Sequence, residues 1–309
     1  MSKSPSVDIV KPKFLPHIFD NDRDDDLRRS SQVHILREEL HLGVLPIGGR
    51  TFGDRDFDIE LIGSDDDKAK ETLLSIERVS RSSICELVCD IVNDIAQNLT
   101  YFGSIRYEVV EQQTGFTLHY IPQKSFYDLG ILGLQVVPKK QREHVNKRFI
   151  LRSKKFIWDL SFPNAICSKA SYRKVLGKLS KYTELMPRNI QHDKIFETDL
   201  GFDGTSFNKQ TKKYIYKTLN DIGGAQRETN LTHVNEYYLI NRMIRMNLSK
   251  ALLRENIINK LNVLFNKLGI DSKIVIKGLP TSDEIRNALS DLEAGTLGLN
   301  EALKQTNVY

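Results

Sequence analysis

A short acidic segment carries the residue spacing best suited to metal chemistry. Two glycines, Gly48 and Gly49, form a turn signal, and carboxylates then recur at every second position. If the segment is a strand, its side chains point alternately to opposite faces, so these carboxylates share one face. Carboxylates grouped in this way can hold two divalent cations around a triphosphate. The residues concerned are Asp54, Asp56, Asp58 and Glu60.

The same segment resembles the Gly-Gly and Asp-x-Asp signature of nucleotidyltransferases. This resemblance implies a metal-dependent enzyme that uses Asp56, Asp58 and Glu60, with a further carboxylate from a later strand, for which Glu108 is the candidate. The helix expected between the glycines and the acidic strand has no room here, and alternating acids are also typical of the solvent face of an exposed strand. The enzyme is therefore kept as an alternative, and our main expectation is a protein without catalytic residues, metal or cofactor.

Little in the sequence supports metal binding or catalysis by cysteine or histidine, or a phosphate-binding loop. Cys85 and Cys89 lie one helical turn apart, but no nearby Cys or His completes a tetrahedral metal set, so we expect structural burial. With Cys167 the total is three, an odd number that argues against a disulfide framework. No P-loop, dinucleotide-binding glycine loop or nucleophile elbow occurs.

The charge is unevenly distributed along the chain. The net charge is +5 over 309 residues. Residues 1–80 contain 12 basic and 17 acidic side chains, whereas residues 139–188 contain 14 basic and three acidic ones. Residues 205–268 add 11 basic against four acidic side chains. Clustered Lys and Arg favour a polyanionic partner, because they replace the counterions of phosphates. One alternative is therefore a stand-alone nucleic-acid-binding module without sequence preference.

Hydrophobic periodicity predicts three regions. We expect an extended or partly disordered arm over residues 1–35, a mixed helix and strand region over 36–200, and a helical region over 201–309. No secretory signal or membrane-spanning run is predicted, which favours the cytoplasm. The predicted strands are 57–62, 101–110, 116–121, 134–137, 149–151 and 274–276. The predicted helices are 83–98, 171–181, 206–221, a long helix at 233–268 that Gly269 ends, a helix after Pro280 that Gly295 ends, and 299–305.

Two segments share a pattern with one known family. The segment Leu87–Tyr107 is an amphipathic helix that runs through Tyr101-Phe102-Gly103 into an Arg-Tyr-Glu strand. The C-terminal third combines a long helix, a short strand and a helix that ends in an Ala-Gly turn. Both resemble portal proteins, the rings at the DNA-entry vertex of tailed double-stranded DNA bacteriophages. The C-terminal pattern is carried by 229–246 with Tyr237-Tyr238, Leu253-Arg254-Glu255, Lys277–Thr281 and Leu292–Thr296.

The resemblance implies an α+β fold with a mixed α/β wing region and long C-terminal helices. It implies a non-enzymatic homo-oligomer, a ring of about twelve copies, through which double-stranded DNA is packaged and ejected. The partners implied are non-specific duplex DNA, the major capsid protein, the terminase and tail adaptor proteins, with no membrane. The location implied is the portal vertex of the virion, after assembly in the host cytoplasm.

Candidate site residues follow from placing the basic helices around such a channel. The loop between the two predicted helices, residues 222–232, is expected to project into the channel, with Gly223, Gly224 and Glu228. The basic side chains of this loop and of the helices on either side are expected to face DNA phosphates or a neighbouring subunit. These are Lys209, Lys212, Lys213, Lys217, Arg227, Arg242 and Arg245.

Overall fold

The computed structural model describes residues 30–45, 57–76, 83–112, 115–121, 125–137, 147–184, 212–224 and 236–306. Helices and antiparallel strands occur together there, so the chain is an α+β protein. The helices are α1 (Ser31–His41), α2 (Asp66–Leu74), α3 (Ile84–Phe102), α4 (Lys169–Glu184), α5 (Glu236–Leu268), α6 (Ser282–Ala294) and α7 (Leu299–Thr306), and 212–218 is also helical. The strands are β1 (Asp58–Gly63), β2 (Ser104–Glu111), β3 (Phe116–Tyr120), β4 (Phe126–Asp128), β5 (Leu132–Val136), β6 (Phe149–Ser153), β7 (Ile157–Ser161) and β8 (Ser272–Lys277).

The chain forms two compact units, each built from separate segments. The first unit contains His41–Phe162 and Leu253–Leu279, and the second contains Pro163–Leu252, Pro280–Tyr309 and the stretch that ends at Leu40. Helix α5 contributes to both units. The sequence analysis instead divides the chain into consecutive regions, because composition does not reveal which remote segments fold together. None of the described helices combines the length and the apolar character that crossing a membrane requires.

The described residues of the first unit form three small antiparallel sheets. Strand β1 pairs with β8, β2 lies between β3 and β7, and β5 lies between β4 and β6. The predicted strand at 57–62, the β2–β3 hairpin, the β5–β6 pair and the strand at 274–276 are confirmed. Strands β4 and β7 were not predicted. Strand β7 is stabilised by remote partners, since Leu160 pairs with Ile105 and the Trp158 indole N–H donates to the Lys260 carbonyl at 3.2 Å.

Helix α3 supplies the apolar core of the first unit. One stripe of its side chains is fully buried and contacts β1, β2 and α2. The helix ends where Gly103 adopts the left-handed conformation, with φ 73° and its N–H bonded to the Leu99 carbonyl at 2.8 Å. Tyr101 and Phe102, which the sequence analysis assigns to the following strand, therefore belong to the helix. The buried stripe includes Leu87, Val88, Ile91, Val92, Ile95, Ala96 and Leu99.

The core of the second unit lies between the first half of α5 and the two C-terminal helices. The long helix, the helix ended by Gly295 and the final helix are confirmed, and each presents an apolar stripe to the others. Asn247 adds a hydrogen bond to the carbonyl of Thr306 at 3.0 Å. The core residues are Ile240, Ile244, Ala251, Ile285, Leu289, Leu292 and Ala302.

Helix α1 begins within the region that the sequence analysis assigns to an N-terminal arm. Residues 31–35 are helical, and the side chains of Val33, Leu36 and Leu40 are buried on one face of α1. The rest of that region, residues 1–29, lies outside the described residues. The helix was missed because three prolines before it, with mixed charges, are typical of extended chain.

The start of α6 provides a test of local stability. The Thr281 hydroxyl accepts from the Glu284 N–H at 3.2 Å, and the Glu284 carboxylate accepts from the Thr281 N–H at 2.7 Å. The backbone and hydroxyl of Thr281 lower the pKa of Glu284. We expect Thr281→Ala to lower the free energy of unfolding by about 1 kcal/mol and to bring the Glu284 pKa closer to its ordinary value.

The pH dependence has a defined sign. A carboxyl group whose pKa is lowered by folding stabilises the protein above its unfolded pKa, and this contribution is lost as pH falls through the folded pKa. Carboxyl chemical shifts followed over an acid titration measure the Glu284 pKa. Thr296→Ala is the control, because that hydroxyl donates to the Asp291 carbonyl near the other end of α6. An equal Glu284 pKa in wild type and Thr281→Ala would contradict the prediction.

Candidate nucleic-acid interface

Helix α4 carries its cationic side chains on the side opposite to its buried residues. Tyr172, Leu176 and Leu179 recur at helical spacing and are 2%, 3% and 0% exposed. Between them, lysines and an arginine point to solvent over about two turns. We name these four exposed side chains the α4 basic face: Arg173, Lys174, Lys178 and Lys181.

Among the described residues, the α4 basic face lacks the carboxylate partners that several other cations have. Within the described part of the chain, no ion pair joins any of its four side chains to an acid. By contrast, Lys68 pairs with Asp65 at 2.7 Å and Lys277 pairs with Glu60 at 2.6 Å. The sole acid of α4 itself is Glu184, at the end of the helix. The positive potential of this face is therefore not cancelled locally.

The dimensions of the α4 basic face suit a nucleic-acid backbone. From Arg173 to Lys181 the helix axis advances by about 12 Å. Duplex DNA presents about seven phosphates over that length, since both strands together carry one charge per 1.7 Å. Flexible Lys and Arg side chains on a helix surface can reach several of these phosphates. Such contacts fix position and carry no base information.

The helical segment 212–218 holds three of the candidate lysines named from the sequence. Lys213 and Lys217 are exposed and lie one turn apart, and Lys212 is half-buried. Ile215 is buried on the opposite side, at 6% exposure. Two exposed lysines are thus brought to one face of this segment. Lys209, Arg227 and Glu228 lie outside the described residues.

Arg242, predicted from the sequence to face DNA or a neighbouring subunit, lies in the interior of the second unit. Its side chain is only 4% exposed, and its guanidinium lies 3.9 Å from the centre of the Tyr216 ring. Tyr216 in turn packs edge-on against Tyr238, with ring centres 5.8 Å apart. A buried cation of this kind stabilises the packing of α5 against the segment 212–218. It presents no surface to DNA phosphates.

Arg245 is engaged within the second unit. Its guanidinium donates to the Glu293 carboxylate at 2.7 Å and to the Asn241 side-chain oxygen at 2.8 Å. The Asn241 amide donates to the same carboxylate at 3.0 Å, so three side chains form one network. The network joins α5 to α6. A phosphate contact by Arg245 would have to compete with this carboxylate.

The glycine pair Gly223 and Gly224 forms a buried turn against α5. Both residues have positive φ, 88° and 114°. The Gly224 N–H donates to the Arg242 carbonyl at 3.2 Å, and the Ser249 hydroxyl donates to the Ile222 carbonyl at 3.0 Å. The predicted break after the 212–218 helix is confirmed. The beginning of the expected channel loop is thus held against the long helix, and residues 225–232 lie outside the described residues.

Only some of the carboxylates expected for the alternative enzyme belong to the described residues. Asp58 and Glu60 lie on β1, where Asp58 accepts from the Ile59 N–H at 2.8 Å and Glu60 pairs with Lys277. Glu108 lies on β2, in another sheet, and forms an ion pair with Arg152. Asp54 and Asp56 lie outside the described residues. Among the residues described, no cluster of three or more His, Cys, Asp or Glu side chains could hold a metal ion.

The cysteines are reduced, and burial raises the pKa of each thiol. The pKa of Cys89 rises to about 12 and that of Cys167 to about 11. At pH 8, about one Cys89 thiol in 10,000 is then ionised. We expect iodoacetamide to label native Cys89 at least a hundredfold more slowly than the urea-unfolded chain. Peptide mass spectrometry over time measures the rates, and rapid stoichiometric labelling of native Cys89 would contradict this.

The α4 basic face is not among the candidate residues predicted from the sequence. It lies within the strongly basic stretch 139–188, whereas those candidates lie on the predicted helices and loop of the C-terminal third. The spacing of the charges in the sequence predicts this face. Arg173, Lys174, Lys178 and Lys181 fill the positions between the apolar residues of one predicted helix, so they must share its outer face.

Comparison with known proteins does not extend these observations. No protein-family model matches the chain, and no curated protein matches it.

Proposed function

We propose that this chain is a structural DNA-contacting protein, a subunit of a portal-like ring around double-stranded DNA. The ring, of about twelve copies, follows from the resemblance of Leu87–Tyr107 and the C-terminal third to portal proteins. In this proposal the ring is a conduit at the capsid vertex. The major capsid protein, the terminase and tail adaptors would then be its protein partners, and the chain itself performs no chemistry.

The observation that carries the DNA contact is the α4 basic face. Four exposed cations without carboxylate partners among the described residues supply a sequence-independent phosphate contact. A conduit must touch DNA without holding it. Few contacts per subunit and a small net charge of +5 are consistent with weak, salt-sensitive binding.

A second candidate is a nucleic-acid-binding module that acts as a monomer. The observation that favours it is that the α4 basic face is complete within a single chain, on one helix of one unit. A monomeric module needs no neighbouring copy to bind. It must, however, obtain its affinity from one copy of the face rather than from many.

Mass photometry of the purified full chain, over a range of protein and salt concentrations, tests the proposal. We expect closed rings of several hundred kilodaltons, and negative-stain images with a central opening. Duplex binding is measured on the same samples by fluorescence anisotropy. Monomers under every condition, together with tight duplex binding, would reject the ring in favour of the monomeric module. Monomers that bind no duplex would reject both.

A further inference from the structure

One face of the β4–β5–β6 sheet is apolar and exposed to solvent. Residues that lie opposite each other, or two positions apart along a strand, share a face, so Leu132, Leu151 and Phe149 lie together on this side with the buried Val136. They are 42%, 64% and 40% exposed. Ile131 in the preceding turn and Phe156 after β6 are also exposed, at 85% and 55%. We name Leu132, Leu151 and Phe149 the apolar sheet face.

The opposite side of the same sheet packs against other residues of the protein itself. The Arg152 guanidinium donates to Gln135 at 2.9 Å and pairs with Glu108, and Phe126 is buried with Ile121 and Ile157. A Cβ at Gly133 would collide with the Phe126 ring. On the other side Val136 is buried, at 4% exposure, but three apolar side chains remain exposed. Exposed apolar area concentrated on the other side is typical of an interaction surface rather than of scattered surface residues.

The ends of the edge strand β6 are basic. Lys147 and Arg148 precede the strand, and Lys155 follows it after Lys154, which forms an ion pair with Asp128. If two copies of the apolar sheet face met each other, like charges would approach in either strand orientation, which disfavours such a dimer. An occupant with apolar and acidic residues in close succession suits this surface better.

The chain contains such a segment near its N-terminus. Phe14, Leu15, Ile18 and Phe19 form an apolar cluster in the sequence. The next residues, 20–26, hold five aspartates against one arginine. An extended segment from Phe14 to Ser30, where the described residues begin, spans up to about 55 Å. That reach is sufficient for a neighbouring molecule.

We propose that residues 14–26 of a second copy bind the apolar sheet face. The apolar cluster covers Leu132 and Leu151, and the aspartates meet the basic ends of β6. The contact joins two different surfaces, so it repeats from copy to copy and can close a ring. It rests on the proposed function only in requiring self-association.

Two full-length variants and one control test the contact by sedimentation velocity. The face variant is L132D/L151D, the arm variant is F14D/F19D, and the control is V263D, which adds one acid at an apolar position of α5 that is 50% exposed. We expect each of the first two to weaken self-association about 30-fold and the control to match wild type. Circular dichroism checks that all four proteins are folded.

Mixing distinguishes a neighbour's segment from the chain's own. The face variant retains a normal arm and the arm variant retains a normal face, so a mixture should form a pair that neither forms alone. If the mixture remains monomeric, the proposal is wrong. It is also wrong if both variants associate as wild type does, whether the face is covered by the chain's own arm or by an unrelated acidic protein.

The outcome is separable from that of the proposed function. Rings that persist in both variants would overturn this contact and leave the ring proposal intact. A wild-type chain that is monomeric in every condition would overturn both. Duplex binding through the α4 basic face should be unchanged in F14D/F19D at matched oligomeric state, and a loss of binding there would show that the segment has a different role and overturn the assignment.

Discussion

We expect duplex DNA affinity to fall about 100-fold, at about 150 mM salt, when all four side chains of the α4 basic face are replaced by alanine. Each lost phosphate contact returns a counterion to the DNA, so the slope of log K against log salt should become shallower by about 0.9 per contact. Four contacts predict a change of roughly three to four in that slope. The decrease should be equal for unrelated duplex sequences, because phosphate contacts read no bases.

A charge-matched control distinguishes an effect of the α4 basic face on DNA affinity from an effect of the lower net charge. The control replaces four cations on other elements by alanine: Lys68, Lys277, Arg286 and Lys304. The first three form ion pairs with carboxylates in the structure. Fluorescence anisotropy titrations over a salt series measure both variants. Equal losses in the two variants would show a general charge effect, and an unchanged slope in the α4 variant would remove this face from the DNA contact.

Gly223→Ala should lower the free energy of unfolding by about 3 kcal/mol, because two costs add. Gly223 has a φ of 88°, a region where a Cβ costs about 1–2 kcal/mol. A Cβ there would also lie 2.5 Å from the Arg242 carbonyl oxygen and still closer to the Met246 backbone nitrogen. Backbone of α5 cannot move aside as a flexible side chain can, so overpacking adds a similar amount.

Gly177→Ala is the matched control within the same unit. Gly177 lies inside α4, with no atom within 4 Å of its added Cβ and no unusual φ. Alanine is the better helix former, so this variant should gain about 0.5–1 kcal/mol. Urea titrations followed by circular dichroism compare both variants with wild type. If Gly223→Ala unfolds at the wild-type midpoint, the close packing of the glycine turn against α5 is incorrect.

Much of the helical structure was predictable because its causes are local. The apolar stripe of α3, the length of α5 and the glycines that end α5 and α6 are all visible within a few residues of where they act. The β2–β3 hairpin is equally local. The α+β class was therefore predictable, and the structure adjusts the ends of these elements by a few residues.

Elements that depend on remote partners were harder to predict. Strand β7 has five residues and is stabilised by β2 and by the α5 carbonyl that accepts from Trp158. Strand β1 was expected from its alternation, but its partner β8 lies more than 200 residues away in the sequence. A short strand gains little from its own residues, so its existence depends on pairing that sequence spacing does not encode.

For the candidate site, too, some features are determined by the sequence and others by the tertiary structure. The sequence by itself determined the sign of the charge and the helix face on which each cation lies, because composition and helical period set both. Only the tertiary structure decided which cations remain available. Arg242 is buried against Tyr216 and Arg245 is bound to Glu293, 48 residues away, whereas the four cations of the α4 basic face form no ion pair within the described residues. The physical reason is that charge neutralisation acts over a few ångströms in space, and those distances exist only once the chain has folded.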